Sequence, residues 1–130
     1  MYNRYTIDNT IFKIAIYIRL SREDGDDLES ESVTNQRSLL IGYLKAQALV
    51  AVDIYVDDGY TGTNFERPEF KRMLQDIENG KINMVITKDL SRLGRDHIMT
   101  GYYVETFFPE NDVRYIAVND DIDTFLDRKS

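Results

Sequence analysis

Short apolar runs rich in β-branched residues alternate with helix-like segments along this chain, and that alternation limits the fold more than any other feature. In residues 12–20, Ile14, Ile16, Ile18 and Leu20 project to one side, and Ala15, Tyr17, Arg19 and Ser21 to the other. Both sides are mostly apolar, which marks a central strand covered on both faces. Residues 52–56, 82–87 and 113–118 read as further strands. Between them, Ser32 is a good cap for a helix over 33–48, with Gln36, Leu40, Tyr43, Leu44 and Gln47 on its inner face. Pro68 opens a second helix, in which Phe70, Met73, Leu74 and Ile77 form one apolar stripe and Asn79-Gly80 ends the run. A third helix is expected over 96–108, stopping before Pro109. Asp57-Asp58-Gly59 reads as a turn, and residues 23–31, acidic and aperiodic, as a mobile loop. The predicted fold is α/β: three layers, with a mostly parallel central sheet of four to five strands and helices on both faces. Residues 1–10 read as a polar tail, 11–123 as one domain and 124–130 as a short C-terminal tail.

Composition excludes some chemistry. There is no cysteine, so disulfides and thiolate metal sites are ruled out. No apolar run approaches the ~20 residues needed to cross a bilayer, and residues 1–10 lack the apolar core of a signal peptide. A cytoplasmic protein is expected. The net charge of −7 weighs against independent nucleic-acid binding. Much of that charge is concentrated at Glu23, Asp24, Asp26, Asp27, Glu29 and Glu31, and again at Asp120, Asp121 and Asp123.

Ligands of parallel sheets gather beyond the C-terminal ends of the strands. Ser21, Asp57-Asp58 and the run from Lys88 to Arg95 all follow strands at that end. An isolated Arg-x-Ser at a strand end is most often solvated and inert. Here Arg19 and Ser21 share a face, and Arg92 and Arg95 stand in a second run, Ser91-Arg92-Leu93-Gly94-Arg95-Asp96. If that run begins a helix, its cations oppose the helix dipole, which an anionic partner would explain. Guanidinium forks suit phosphoryl oxygens, and they stabilise the charge that builds up when a hydroxyl displaces one of them.

Tyr17-Ile18-Arg19-Leu20-Ser21, the inward Gln36, Gly59-Tyr60-Thr61-Gly62 leading to Arg67-Pro68, and Ser91 to Asp96 together resemble the catalytic domain of the serine recombinases, the resolvases and invertases. The acidic loop and the phrase from Asp57 to Phe65 resemble the large serine recombinases of transposons, of the TnpX type. The resemblance runs from Lys13 to Asp123. It implies that Ser21 attacks a DNA phosphate and forms a 5′-phosphoserine link. Arg19, Arg92 and Arg95 would hold that phosphate, Gln36 would order the site and Arg67 would add a further cation. It implies no metal and no nucleotide cofactor, because the phosphoserine conserves the bond energy for rejoining. The implied partner is double-stranded DNA at recombination sites. The full-length protein would be a dimer on each site and a tetramer in the synapse, and this fragment alone a monomer without a membrane partner. Small resolvases carry aspartate where this chain has Ser91. Asp89, two residues earlier, is expected to point elsewhere, so the group that takes the Ser21 proton is open. The family's long helix after the last strand has no evident counterpart beyond Asp123, so an excised catalytic domain is expected.

Other readings fare worse. A Ser–His–Asp hydrolase would need His97, the only histidine, and no Gly-x-Ser-x-Gly surrounds Ser21. Residues 23–31 lack the ligand spacing of a calcium loop. Tyr55, Tyr60, Tyr102, Tyr103 and Tyr115 could stack on bases but are more often core residues at such positions. The non-enzymatic alternative is a phosphate-sensing, receiver-like signalling module with Asp57-Asp58 and Lys88 as its pocket. That reading leaves Arg19, Arg92 and Arg95 without a role.

Overall fold

A computed structural model describes residues 11–21 and 32–127. The sheet has five strands in the order β2-β1-β3-β4-β5: β1 Ile14–Leu20, β2 Ala51–Asp58, β3 Met84–Thr87, β4 Arg114–Ala117 and β5 Ile122–Asp123. The first four run parallel, and β5 returns antiparallel to β4. The helices are α1 Val33–Lys45, α2 Pro68–Glu78, α3 Leu90–Leu93, α4 His97–Tyr102, α5 Phe108–Glu110 and α6 Thr124–Asp127, with a π-helical turn, Tyr103–Phe107, between α4 and α5.

The alternation of β1 divides the core as the sequence suggests. Ile14, Ile16 and Ile18 pack with Leu40 and Leu44 of α1 and with Met84, Ile86 and Ile116. Ala15 and Tyr17 pack on the other face with Phe70, Met73 and Ile77 of α2 and with Val85, Phe108 and Tyr115. Two apolar layers therefore clamp one sheet, which is the three-layer α/β arrangement.

Helix α1 starts as expected, with Ser32 Oγ accepting from the Asn35 N–H at 3.1 Å. It ends at Lys45 rather than Ala48, because Ala48 turns left-handed at φ 59°. Helix α2 has no cap of its own, since Arg67 at the N-cap makes no capping bond. Asp57 supplies one from β2, accepting from the N–H groups of Glu69 at 3.0 Å and Phe70 at 2.9 Å. Asp57 and Asp58 are therefore strand residues paired to Arg19 and Leu20, not the start of a turn. The turn falls at Gly59, whose φ of 98° is costly for any side chain.

The third helix differs most from expectation. It does not stop before Pro109 but continues to Glu110 through the π-helical turn. Proline has no N–H to give and its ring crowds the carbonyl four residues back. A widened turn just ahead of it takes up both defects without ending the helix. The expected mobile loop over 23–31 and the tail over 1–10 lie outside the described residues. The C-terminal tail holds more structure than the sequence suggests: Thr124–Asp127 is a helical turn, and Phe125 packs edge-on against Phe12 at 5.6 Å between ring centres.

Phe70 is fully buried and touches the rings of Tyr17, Phe65 and Tyr103. Phe70→Ala is expected to lower stability by about 3–5 kcal/mol, measured as a reduced midpoint and unchanged slope in urea unfolding. Val50→Ala, at a residue 82% exposed, should move it by no more than about 0.5 kcal/mol.

Candidate active site

The site is built where β1 outruns its neighbour. Strand β3 pairs with β1 from Ile14–Met84 to Ile16–Ile86, while β2 continues beside β1 as far as Leu20–Asp58. Past Tyr17, then, one edge of β1 faces no strand. Carbonyls alternate in direction along a strand. That of Leu20 points to the β2 side and accepts from the Gly59 N–H at 2.7 Å. That of Arg19 points to the open side, where a buried acceptor needs a partner. Gln36 Nε2 of α1 donates to it at 3.0 Å, and Arg92 Nη1 of α3 donates to it at 3.4 Å. Both side chains are thereby drawn to the peptide two residues ahead of Ser21. Arg19, Ser21, Gln36 and Arg92 are all buried, with Ser21 only 2% exposed.

The Arg19 side chain lies on the Tyr17 face and donates through Nη1 to the Tyr60 carbonyl at 3.2 Å and through Nη2 to the Ser91 carbonyl. It thus ties β1 to the loop after β2 and to α3. Arg95 joins through Gly62, whose carbonyl accepts from the Arg95 N–H at 2.7 Å. A Cβ on Gly62 would lie 2.6 Å from Arg95 Cγ and 2.9 Å from Arg19 Nη2, so only glycine lets these two arginines flank the loop at this distance. The structure therefore brings Gln36 and Arg92 to the Arg19 carbonyl, two residues before Ser21, and sets the Arg19 and Arg95 side chains against Gly62. Arg95 is solvent-exposed.

Two expectations about the second arginine run change. Arg92 lies in the single turn of α3, its N–H capped by Asp89, and Gly94 interrupts the helix in an extended conformation. Arg92 and Arg95 thus share no helix face. A Cβ at Gly94 would fall 2.2 Å from the Phe65 ring, which explains the glycine by space rather than by backbone angle. Nor does Asp89 point away from position 91. Its Oδ1 accepts from Ser91 Oγ at 2.6 Å and from the Arg92 N–H at 3.2 Å, so carboxylate and hydroxyl form one unit capping α3.

Arg67 is fully buried, and its guanidinium lies 4.5 Å from the Phe65 ring centre and 4.8 Å from that of Phe70. It donates to the carbonyls of Asn64 and Leu93 and to the Tyr17 hydroxyl. Tyr17 Oη in turn donates to Asp57 Oδ2 at 2.8 Å. The sequence gives Tyr17 no chemical role in the site and gives Asp57 one only in the signalling alternative. The available signal was the strand alternation, which puts Tyr17 on the face of Arg19 and Ser21. The five tyrosines do not form a stacking surface: Tyr55 and Tyr115 are buried, Tyr60 is half-buried, Tyr103 is enclosed by Phe65, Phe70 and Phe107, and Tyr102 is 44% exposed.

The resolvase N-terminal domain model matches residues 14–129, and the chain belongs to that family. The N-terminal catalytic domain of TP901-1 integrase is similar in structure, with a TM-score of 0.77 and 34% identity, over 86% of this chain and 81% of that one. A resolvase family site-specific recombinase from Streptococcus pneumoniae gives 0.68 at 28% identity, over 88% and 76%. A protein of Bacillus subtilis (strain 168) named "Putative DNA recombinase" is 31% identical over 106 residues, which is 82% of this chain. The chain spans about a fifth of the length of that curated relative (20%). Fold and family are those of a serine recombinase catalytic domain. Nothing found favours the signalling-module alternative, and the Asp57 carboxylate is committed to capping α2.

Burial holds the Tyr17 phenol well above its ordinary value of about 10, with Arg67 opposing and Asp57 adding to the shift. Burial raises Tyr115 as well, and Tyr55 is raised by burial and by its bond to Asp76. Each folded-state value exceeds the unfolded one, so the stability from keeping these phenols neutral is complete below pH of about 10 and is lost as pH climbs above it. Phenolate absorbance of these residues should appear only together with loss of the circular dichroism of the fold; early titration of all tyrosines would contradict their burial. Gly62→Ala should cost about 1–3 kcal/mol in urea unfolding through overpacking against Arg95 and Arg19.

Proposed function

We propose that this chain cuts and rejoins DNA strands for site-specific recombination, with Ser21 as the nucleophile. The Ser21 Oγ–phosphorus bond would form as the bond from phosphorus to the 3′ oxygen breaks. The serine proton leaves and the 3′ oxygen gains one. The product is a 5′-phosphoserine link and a free 3′-hydroxyl, and reversal onto a new 3′-hydroxyl completes the exchange. Arg19, Arg92 and Arg95 would bind the scissile phosphate and neutralise its transition state, and Gln36 would hold the strand end in place. The observation that supports this reading is the hydrogen bond of Arg92 to the Arg19 carbonyl, which holds a cationic side chain of α3 against the strand that leads into Ser21.

Asp89 and Ser91 form a carboxylate–hydroxyl pair at the start of α3, where the Ser91 carbonyl accepts from Arg19, and we assign that pair the proton-accepting role that position 91 alone does not fill. Ser21 is 2% exposed, so this reading requires it to become accessible when the duplex binds. With a charge of −7, this chain is a weak grip on DNA. The reading therefore assigns most duplex contacts, and the dimer and tetramer that recombination needs, to a longer protein.

In that protein, on a duplex carrying its recombination site, Ser21→Ala should abolish the covalent protein–DNA adduct seen on denaturing gels. Arg92→Lys should slow cleavage by about 10²–10³-fold, because lysine cannot make the two-pronged contact. Near-normal cleavage by either variant would overturn its assignment.

A further inference from the structure

One buried chain of hydrogen bonds has no place in the chemistry above. It starts at Asp57, whose carboxylate caps α2, and passes through the Tyr17 hydroxyl at 2.8 Å to Arg67 Nη1 at 2.8 Å. Arg67 Nη2 carries it on to the Leu93 carbonyl at 2.7 Å, and Arg67 Nε anchors it to the Asn64 carbonyl. Asp57, Tyr17 and Arg67 are all 2% exposed or less. Leu93 stands between Arg92 and Arg95, at the point where α3 gives way to extended backbone. The chain therefore joins the sheet, the α2 N-terminus, the loop carrying Gly62 and the turn carrying two of the arginines.

Three features separate this from a simple stabilising contact. First, Arg67 is enclosed by the rings of Phe65, Phe70 and Tyr17, so its guanidinium plane is fixed on its faces as well as its edges. Second, a buried guanidinium is a costly tether for a neutral carbonyl, and the carbonyl it holds is one residue from Arg92 and two from Arg95. Third, Phe65 sits within contact distance of Gly94, so the same aromatic wall that holds Arg67 also limits where the arginine turn can go. On the proposed strand-cleaving reading, we propose that Arg67, Tyr17 and Asp57 are positioning residues: they set the turn at Leu93 and so fix where Arg92 and Arg95 meet the phosphate. Arg67 then acts through the Leu93 carbonyl and not as a phosphate ligand, which gives a specific role to the further cation that the family resemblance implies.

Tyr17→Phe tests this, because it deletes one hydroxyl and changes no cation. In amide nuclear magnetic resonance spectra of the 130-residue chain, the resonances of Gly62 and of Leu93, Gly94 and Arg95 should shift, along with those near the substitution. In strand cleavage by the protein on its site, kcat should fall at least tenfold with the half-saturating DNA concentration unchanged within twofold. Arg67→Lys should show the same split, since lysine keeps the charge and loses the fork. Tyr17→Phe with kcat within twofold of the parent, or with shifts confined to residues around 17, 57 and 67, would overturn the proposal. So would an Arg67→Lys variant that raises the half-saturating DNA concentration while Tyr17→Phe behaves as the parent, the pattern of a direct phosphate contact. If the parent protein cleaves no DNA, the strand-cleaving reading fails separately, and the amide shifts of Tyr17→Phe still decide whether the chain controls the arginine turn. A melting curve for each variant excludes global unfolding as the cause, and Arg67→Lys carries the test if Tyr17→Phe does not fold.

Discussion

An uncovered edge at the end of β1 organises everything around it. Because β3 stops at Thr87 while β1 continues to Leu20, the Arg19 carbonyl is left in the interior with no strand to bond. Leaving such a group unmet costs about 1–3 kcal/mol. The chain meets it with side chains instead, Gln36 from one layer and Arg92 from the strand-end turn. A backbone requirement of the sheet is thereby converted into a cluster of polar and cationic groups at one peptide. A β3 of full length would satisfy the same carbonyl and leave those side chains nothing to converge on.

Buried arginines appear here in two forms. Arg114 is fully buried in β4 and bonded to the carboxylate of Asp123 on β5, a pairing that cancels its charge and ties the last two strands together. Arg19 and Arg67 donate to carbonyls of the loop after β2 and of α3, and Arg67 also to the Tyr17 hydroxyl. That pattern suits a scaffold more than a neutral core, because each bond fixes the position of a loop. Residues Tyr60, Gly62, Asn64, Ser91 and Leu93 contribute backbone, not side chains, to this scaffold. Its geometry is therefore set by where the chain turns, and glycine is required at Gly62 and Gly94 because neighbours occupy the space a Cβ would need.

Much of this was legible in the sequence, for identifiable reasons. The period-two pattern of Ile14 to Leu20 and the stripe of Phe70, Met73 and Ile77 are burial signals, and burial is what the layers depend on. The inward Gln36 followed from helix periodicity alone. The parts that stayed hidden are those decided by contacts distant in sequence. Helix α3 is one turn long, too short for a periodic signal, and its start is fixed by Asp89 and by Asp120, which accepts from the Leu90 N–H. Strand β5 exists through its pairing to β4 and its bond to Arg114. Asp57 looked like a turn residue because aspartates before glycine usually are, and its role as the cap of α2 appears only when β2 and α2 are brought side by side. Arg67 reads as a free cation in sequence, and only the aromatic wall shows how firmly it is held.

The account stands on one chemical assignment, the hydroxyl of Ser21 as the atom that becomes bonded to phosphorus. The most direct measurement is mass spectrometry of the protein trapped on a nicked duplex bearing its site and digested with protease and nuclease. The account requires a nucleotide remnant on the peptide containing Ser21, at that residue. A remnant on Ser91, on a tyrosine or on an aspartate such as Asp57, with Ser21 unmodified, would contradict it.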